Sequence, residues 1–135
     1  MFWKIGLAFL LSASLATLAQ AQSLDGTYRG QAKFIKQVEL IPGGDRCTRG
    51  GQIEFRVVGS TIELIGMTTA LFGRVLSAPL AADGSFRISG QRPGRGPNPI
   101  IAEWVGTVKN LRIEGTSVGQ GRGRVCHFTF AARKR

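Results

Sequence analysis

The chain has 135 residues, a formal net charge of +10 at pH 7, 19 glycines, 2 cysteines and 1 histidine. One histidine excludes a metal site built on two or more imidazoles and any histidine relay beyond a single base. The basic excess favours anionic partners or surfaces and carries no information about fold.

Residues 1–21 read as an export signal. Lys4 supplies a positive n-region, and Ile5 to Leu18 is apolar apart from small residues and the hydroxyls of Ser12, Ser14 and Thr17. Ala19-Gln20-Ala21 sets small residues at −3 and −1, so cleavage is expected between Ala21 and Gln22. The alternative is an uncleaved anchor, but a run of about 14 residues falls short of the ~20 that span hydrocarbon. No cysteine follows the cleavage point to take a lipid. No arginine pair precedes the apolar run, which favours export before folding over export of a cofactor-loaded enzyme. The expected mature chain, residues 22–135, has the size of one domain, keeps a charge of +9 once Lys4 is lost, and holds no transmembrane segment. No cofactor is expected.

Beyond Ala21, apolar residues alternate with period two and no capped helical stripe appears. A first strand from Thr27 to about Ile35 sets Tyr28, Gly30, Ala32 and Phe34 on one face. Val38 to Gly51, with Pro42 and four glycines, reads as a long loop. Ile53, Phe55 and Val57 alternate with Glu54 and Arg56. Gly59-Ser60 then suits a two-residue type II′ turn into Ile62 and Leu64. Asp83-Gly84 is a second turn, leading to Phe86 and Ile88, and Gly90 to Pro99 is a second long loop, too rich in proline and glycine for a ladder. Trp104 follows it, as a core aromatic or, if exposed beside Arg92 and Arg95, as a stacking platform for a sugar. Lys109-Asn110 is a third turn, before Leu111 and Ile113. The last strand sets Cys126, Phe128 and Phe130 on one face, with His127 and Thr129 on the solvent face.

Three segments closing at Gly66, Gly90 and Gly115 form a weak repeat of hairpin units. The fold expected is all-β: an antiparallel meander of about seven or eight strands closing into a small barrel, or alternatively a two-sheet sandwich. Cys47 and Cys126 lack the C-x-x-C spacing of a redox pair. In an oxidising compartment they read as one disulfide rather than two free thiols. Such a bond closes a long loop and contributes roughly 4–5 kcal/mol. It would join the region after the first strand to the last strand, where a barrel fastens its seam.

No catalytic constellation stands out. Glu54, Glu63 and Glu114 alternate with apolar residues beside Arg or Thr, as solvated cross-strand partners do. The chain is therefore expected not to be an enzyme.

The positive signal is arginine among glycines. Arg46 and Arg49 flank Cys47, Arg122 and Arg124 lie in Gly119 to Arg124, and Arg92 and Arg95 lie in the Gly90 to Pro99 loop. If the cysteines are bonded, Arg46, Arg49, Arg122 and Arg124 share one neighbourhood, with Asp45 the only near acid and the tail Arg133-Lys134-Arg135 expected to add to it. Guanidinium forks suit phosphate and carboxylate, and glycines admit backbone N–H groups to an anion. The plainer alternative is a solvated basic rim that keeps the protein soluble. Export argues against a specific nucleic-acid partner.

Asp25-Gly26-Thr27-Tyr28-Arg29-Gly30, Asp83-Gly84-Ser85-Phe86 and Glu114-Gly115-Thr116 with Gly123-Arg124-Val125-Cys126-His127-Phe128 resemble small exported antiparallel-β proteins of Gram-negative bacteria, alphaproteobacteria in particular. The resemblance implies a periplasmic β module and brings no catalytic residues. The reading carried forward is a non-enzymatic periplasmic or secreted domain that binds an anionic envelope polymer or lipid headgroup, such as lipopolysaccharide phosphates or peptidoglycan carboxylates. A protein-binding module is the alternative, such as an inhibitor of an envelope hydrolase that inserts the Gly90 to Pro99 loop. A small hydrolase comes third. A packed interior would mark a scaffold that works by its loops, and a hollow one a carrier of a small molecule.

Overall fold

Alternating apolar and polar residues form eight antiparallel strands in the computed structural model, which describes residues 23–66, 72–94 and 98–135. The expected signal and Arg95 lie outside the described residues. The strands are β1 Gly26–Glu39, β2 Gly50–Val58, β3 Thr61–Ile65, β4 Leu76–Pro79, β5 Ser85–Arg92, β6 Ile100–Lys109, β7 Arg112–Gly121 and β8 Arg124–Lys134.

They form one sheet in the order β4-β3-β2-β1-β8-β7-β6-β5, so the sandwich alternative falls and a nearly closed barrel stands. β1 is paired along both edges, from Gly26↔Val57 to Lys33↔Gly50 with β2 and from Tyr28↔Lys134 to Glu39↔Arg124 with β8. A bulge between Phe34 and Lys36 turns Ile35 outward. The remaining gap lies between β4 and β5. Side chains approach across it: a Cβ on Gly90 would stand 2.6 Å from Leu76 Cδ1.

The turns are set by local chemistry. Val58 pairs with Thr61 around Gly59-Ser60, and Gly59 takes the positive φ of 59° that a type II′ turn needs at its first position. Asp83 holds its turn by accepting from the Ser85 N–H at 2.9 Å and the Ser85 hydroxyl at 2.6 Å, which lowers its carboxyl below the usual range. The third turn sits one residue later than expected. Lys109 pairs with Arg112, so Asn110 and Leu111 are the central residues, with φ of 53° and 58°. Two positive φ values make a type I′ turn, whose twist suits a hairpin better than the placement read from Lys109-Asn110.

Both long loops also shrink. β1 runs to Glu39 and β2 starts at Gly50, while β5 runs to Arg92 and β6 starts at Ile100. Glycines in these strands face the interior or a neighbouring strand, where a missing side chain is no obstacle to pairing. Outward carboxylates meet arginines as alternation implied: Arg29 with Glu54 at 3.2 Å, Arg87 with Glu103 at 3.4 Å, and Arg56 with Glu63. All three are surface pairs, each worth little to stability.

The interior is stacked in rows that the ladders define. At the level of Phe86↔Gly106, Gly106↔Gly115 and Gly115↔Phe130, two rings close over two glycines. A Cβ on Gly115 would stand 2.1 Å from the Val105 carbonyl oxygen and 2.6 Å from Phe130 Cζ, so the ring packs against bare backbone there. Phe55 joins from β2, with ring centroids 5.4 Å from Phe130 and 5.9 Å from Phe86. Tyr28, Ile62, Val108, Ile113 and Ala132 complete this packed end. Each ring pair adds about 0.5–1.5 kcal/mol beyond its burial.

Tyr28 is the chain's only tyrosine. Its hydroxyl donates to the Leu24 carbonyl at 2.7 Å, and burial, with the Asp25 charge as a smaller cause, raises its pKa above the ordinary 10.0. A raised folded-state value means stability is fully present below pH 10 and is lost as pH rises through that value. Tyrosinate absorbance should therefore titrate above 10.0 in the native protein and return to about 10 in denaturant. Leu111→Gly should stabilise the protein by about 0.5–1 kcal/mol in urea melts, because relief of the left-handed backbone outweighs glycine's larger unfolded-state entropy.

Candidate functional site

In an up-and-down meander, alternate connections fall at the same end. The β1–β2, β3–β4, β5–β6 and β7–β8 connections therefore share one end, called the mouth, and the strand start at Gly26 and the tail share the other. Arg46 and Arg49 lie in the β1–β2 loop, Arg74 in the β3–β4 connection, Arg92 at the end of β5, and Arg122 and Arg124 at the β7–β8 turn. Topology thus gathers the arginines that the sequence scatters.

The disulfide is present, with a Cα–Cα distance of 5.7 Å between Cys47 and Cys126. It pins the β1–β2 loop across the β1–β8 ladder, at the rung where Gln37 pairs with Cys126. Bonds of this kind persist in oxidising compartments, which points away from the cytosol. Gln37 adds a second clamp that no sequence signal marked. Its side-chain carbonyl accepts from the Cys47 N–H at 2.9 Å, and its amide donates to the Asp45 carbonyl at 3.2 Å. The loop also rests on the opposite turn, where the Leu40 N–H donates to the Gly123 carbonyl at 2.8 Å.

The segment expected as a flexible loop, Gly119 to Arg124, is two strands joined by a two-residue turn. Gly121 pairs with Arg124 around Arg122 and Gly123, whose φ values are 54° and 76°. Arg122 is held there beside Asp45, Nη1 to Oδ2 at 3.5 Å, an exposed pair that leaves most of both groups in water. The tail does not join the cluster. β8 carries Arg133 and Lys134 to the far end, about 30 Å along the strand from Arg124. There the Arg135 N–H donates to the Thr27 carbonyl at 2.9 Å.

Above the packed end, the rows change character. The next level is Ile88↔Trp104, Trp104↔Ser117 and Ser117↔Phe128. Above it come Gly90↔Ala102, Ala102↔Gly119 and Gly119↔Cys126, a row with almost no side-chain volume. Arg92↔Ile100 and Gly121↔Arg124 form the last level. Leu76 and Phe72 cover Gly90, and a cavity of about 550 Å³ opens beside Ala102, Gly119 and Cys126. Trp104, Phe128, Phe72 and Ile53 give it apolar walls, Arg92, Arg122 and Arg124 line its mouth, and no acid lines it among the described residues.

Two observations separate this space from ordinary loose packing. A Cβ on Gly119 would meet nothing within 4 Å, so the room there is unused. The Nε atoms of Arg92 and Arg124 are buried with no hydrogen-bond partner among the described residues. A buried donor without a partner costs about 1–3 kcal/mol, and more when charged. Arg124 has one internal contact, Nη1 donating to the Gly121 carbonyl at 2.7 Å.

Of the sequence-expected site residues, Arg92, Arg122 and Arg124 line the cavity. Arg46 and Arg49 are exposed on the pinned loop at the same end. Trp104 is 6% exposed, at the cavity floor rather than on an outer platform. His127 is half-buried on the outward side of β8, opposite Lys36 and Val118. Among the described residues no cluster of three or more His, Cys, Asp or Glu is placed to hold a metal ion. Comparison of the chain with protein-family models, with curated proteins and with solved structures gave no match.

Removing the bond as Cys47→Ser with Cys126→Ser should lower stability by about 4–5 kcal/mol if loop-closure entropy dominates. The loss should be greatest at the mouth. Hydrogen exchange should speed up for residues 40–49 and the start of β8, and much less for the Phe86–Phe130 level.

Proposed function

We propose that this protein is an exported, non-catalytic binding domain of the periplasm or extracellular space that takes an anionic ligand at its arginine-bearing mouth. The observation that carries the reading is the gathering of arginines from four separate connections at one end, two of them with buried guanidinium nitrogens that have no protein partner among the described residues. A solvated basic rim accounts for Arg46 and Arg49, whose side chains reach water. It does not account for Arg92 and Arg124, which line the cavity and whose Nε donors are buried with no hydrogen-bond partner among the described residues.

Arg92 and Arg124 line the cavity, and an anion at its mouth offsets the charge of their guanidiniums. A carboxylate or phosphate accepts two parallel N–H bonds from one guanidinium fork. Anionic envelope material, phosphorylated or carboxylated, has that chemistry. The hydrolase-inhibitor alternative draws less support, because β5 and β6 leave only residues 93–99 as the loop to be inserted.

The test is binding of a soluble phosphate-rich polyanion, followed as salt is raised. Affinity should fall steeply between low and physiological ionic strength. Replacing Arg46, Arg49, Arg92, Arg122 and Arg124 together by Gln should weaken it roughly tenfold or more, at about 1.4 kcal/mol per tenfold. Replacing Arg133 and Lys134 by Gln, at the far end, should change it little. Binding insensitive to salt, or weakened equally by the two sets, would overturn the proposal.

A further inference from the structure

We infer that the cavity is a binding site for a single small amphiphile, with a carboxylate or phosphate head on Arg92 and Arg124 and an apolar body extending toward Trp104. The inference rests on the reading of the mouth as an anion site and goes beyond it, from a surface that meets a polymer to a half-open cavity that takes one molecule.

The argument begins with the levels of the barrel wall. Two positions along a strand separate successive inward rows, about 6–7 Å. The packed level places Phe86 and Phe130 over glycines and leaves no room. The level of Gly90, Ala102, Gly119 and Cys126 has far less side chain, and although Leu76 and Phe72 cover Gly90, nothing covers Gly119. A barrel of this size that was selected only for stability would fill that row, since the dispersion attraction forfeited at a void is not recovered elsewhere. The wall at Gly119 has an ordinary backbone, with no positive φ and no neighbour within 4 Å of an added Cβ, so neither strain nor crowding requires a glycine there. Space for a ligand is what its absent side chain provides.

Polarity along the cavity follows from the same rows. Its depth is apolar, at Trp104, Phe128, Phe72, Ile53 and Ala102, and its opening is cationic, at Arg92 and Arg124. The order matches a molecule with one charged end. A volume of about 550 Å³ lies within the ordinary range for small-molecule pockets. Taking each methylene as close to the ~30 Å³ share of a water molecule, and allowing for incomplete filling, it holds roughly ten to fourteen carbons. A chain of that length, or a fused-ring acid of similar bulk, satisfies both ends at once. A bare inorganic anion leaves the apolar depth empty, and a neutral chain brings no counter-charge to the two guanidiniums at the opening.

The experiment is calorimetric titration of the full chain with dodecanoate and with dodecyl phosphate, both below their aggregation limits. Dodecanol, dodecyltrimethylammonium, acetate and inorganic phosphate are the comparison probes. The inference expects one molecule bound per chain, with each comparison probe at least tenfold weaker. Arg92→Gln with Arg124→Gln should bring dodecanoate down to the level of dodecanol. Gly119→Leu should abolish binding of both while leaving polyanion binding at Arg46, Arg49 and Arg122 unchanged. If Gly119→Leu does not fold, Ala102→Leu fills the same row from the next strand and serves as the occluding variant.

Dodecanoate binding that survives a folded occluding variant would overturn the inference, as would equal affinity for the cationic chain. No amphiphile binding alongside retained, salt-sensitive polyanion binding would overturn this inference alone. Loss of both classes of binding in the unmodified protein would remove the anion-site reading beneath it.

Discussion

The ladder between β1 and β8 joins what would otherwise be two four-stranded sheets, each with a bare apolar face. The other ladders are formed by consecutive strands through short connections, several of them two-residue turns. The β1–β8 pairing alone brings together distant parts of the chain, from Tyr28↔Lys134 to Glu39↔Arg124. Its register decides which residues share a level inside the barrel, because a slip of one residue would exchange the inward and outward faces of an entire strand. The aromatic level, the row of small residues and the arginine level all depend on that alignment. The bulge at Ile35, the Gln37 clamp and the disulfide lie near its upper end, where fraying would otherwise begin.

The strands themselves were legible in the sequence, because a wall with one dry face requires alternation. Gly59-Ser60 and Asp83-Gly84 were legible for a different reason: few residue types tolerate those backbone angles. Leu111 was not, since an aliphatic residue is a poor guide to a left-handed turn, and its place there is imposed by the pairing of Lys109 with Arg112. The cysteine pairing followed from compartment and count. The segments around Arg92 and Arg124 read as loops in the sequence because glycine is depleted in the strands of ordinary proteins. In this wall Gly119 and Gly121 line the hollow, Gly90 lies under Leu76 and Phe72, and two arginines face the opening. Parity with Ile88 and Phe128 would have placed Arg92 and Arg124 inward had those segments been taken as strands. The cavity itself was out of reach, since it exists only once Gly90, Ala102, Gly119 and Cys126 are known to share a row.

The two ends of the interior put the same residue type to opposite uses. Gly115 is a glycine because the Val105 carbonyl and the Phe130 ring occupy the space a side chain would take. Gly119, two inward positions away, is a glycine with nothing in that space. The first adds to cohesion and the second forgoes it. Such a division is common where stability and activity compete within one small domain. Here the fully packed level and the covalent staple offset a level left unfilled and two guanidinium donors left without partners among the described residues.

The position of the staple also governs how the molecule responds to tension. β1 begins and β8 ends at the same rim, so a pull on the two strand ends peels their ladder apart rung by rung instead of shearing it. Peeling halts where the sulfurs meet, near the rung of Gln37 and Cys126. From there the force runs through the covalent bond from Cys47 to Cys126, and residues 48–125 bear none of it. A stretched chain would therefore lengthen by only a short, fixed amount, with most of its sheet shielded from the load.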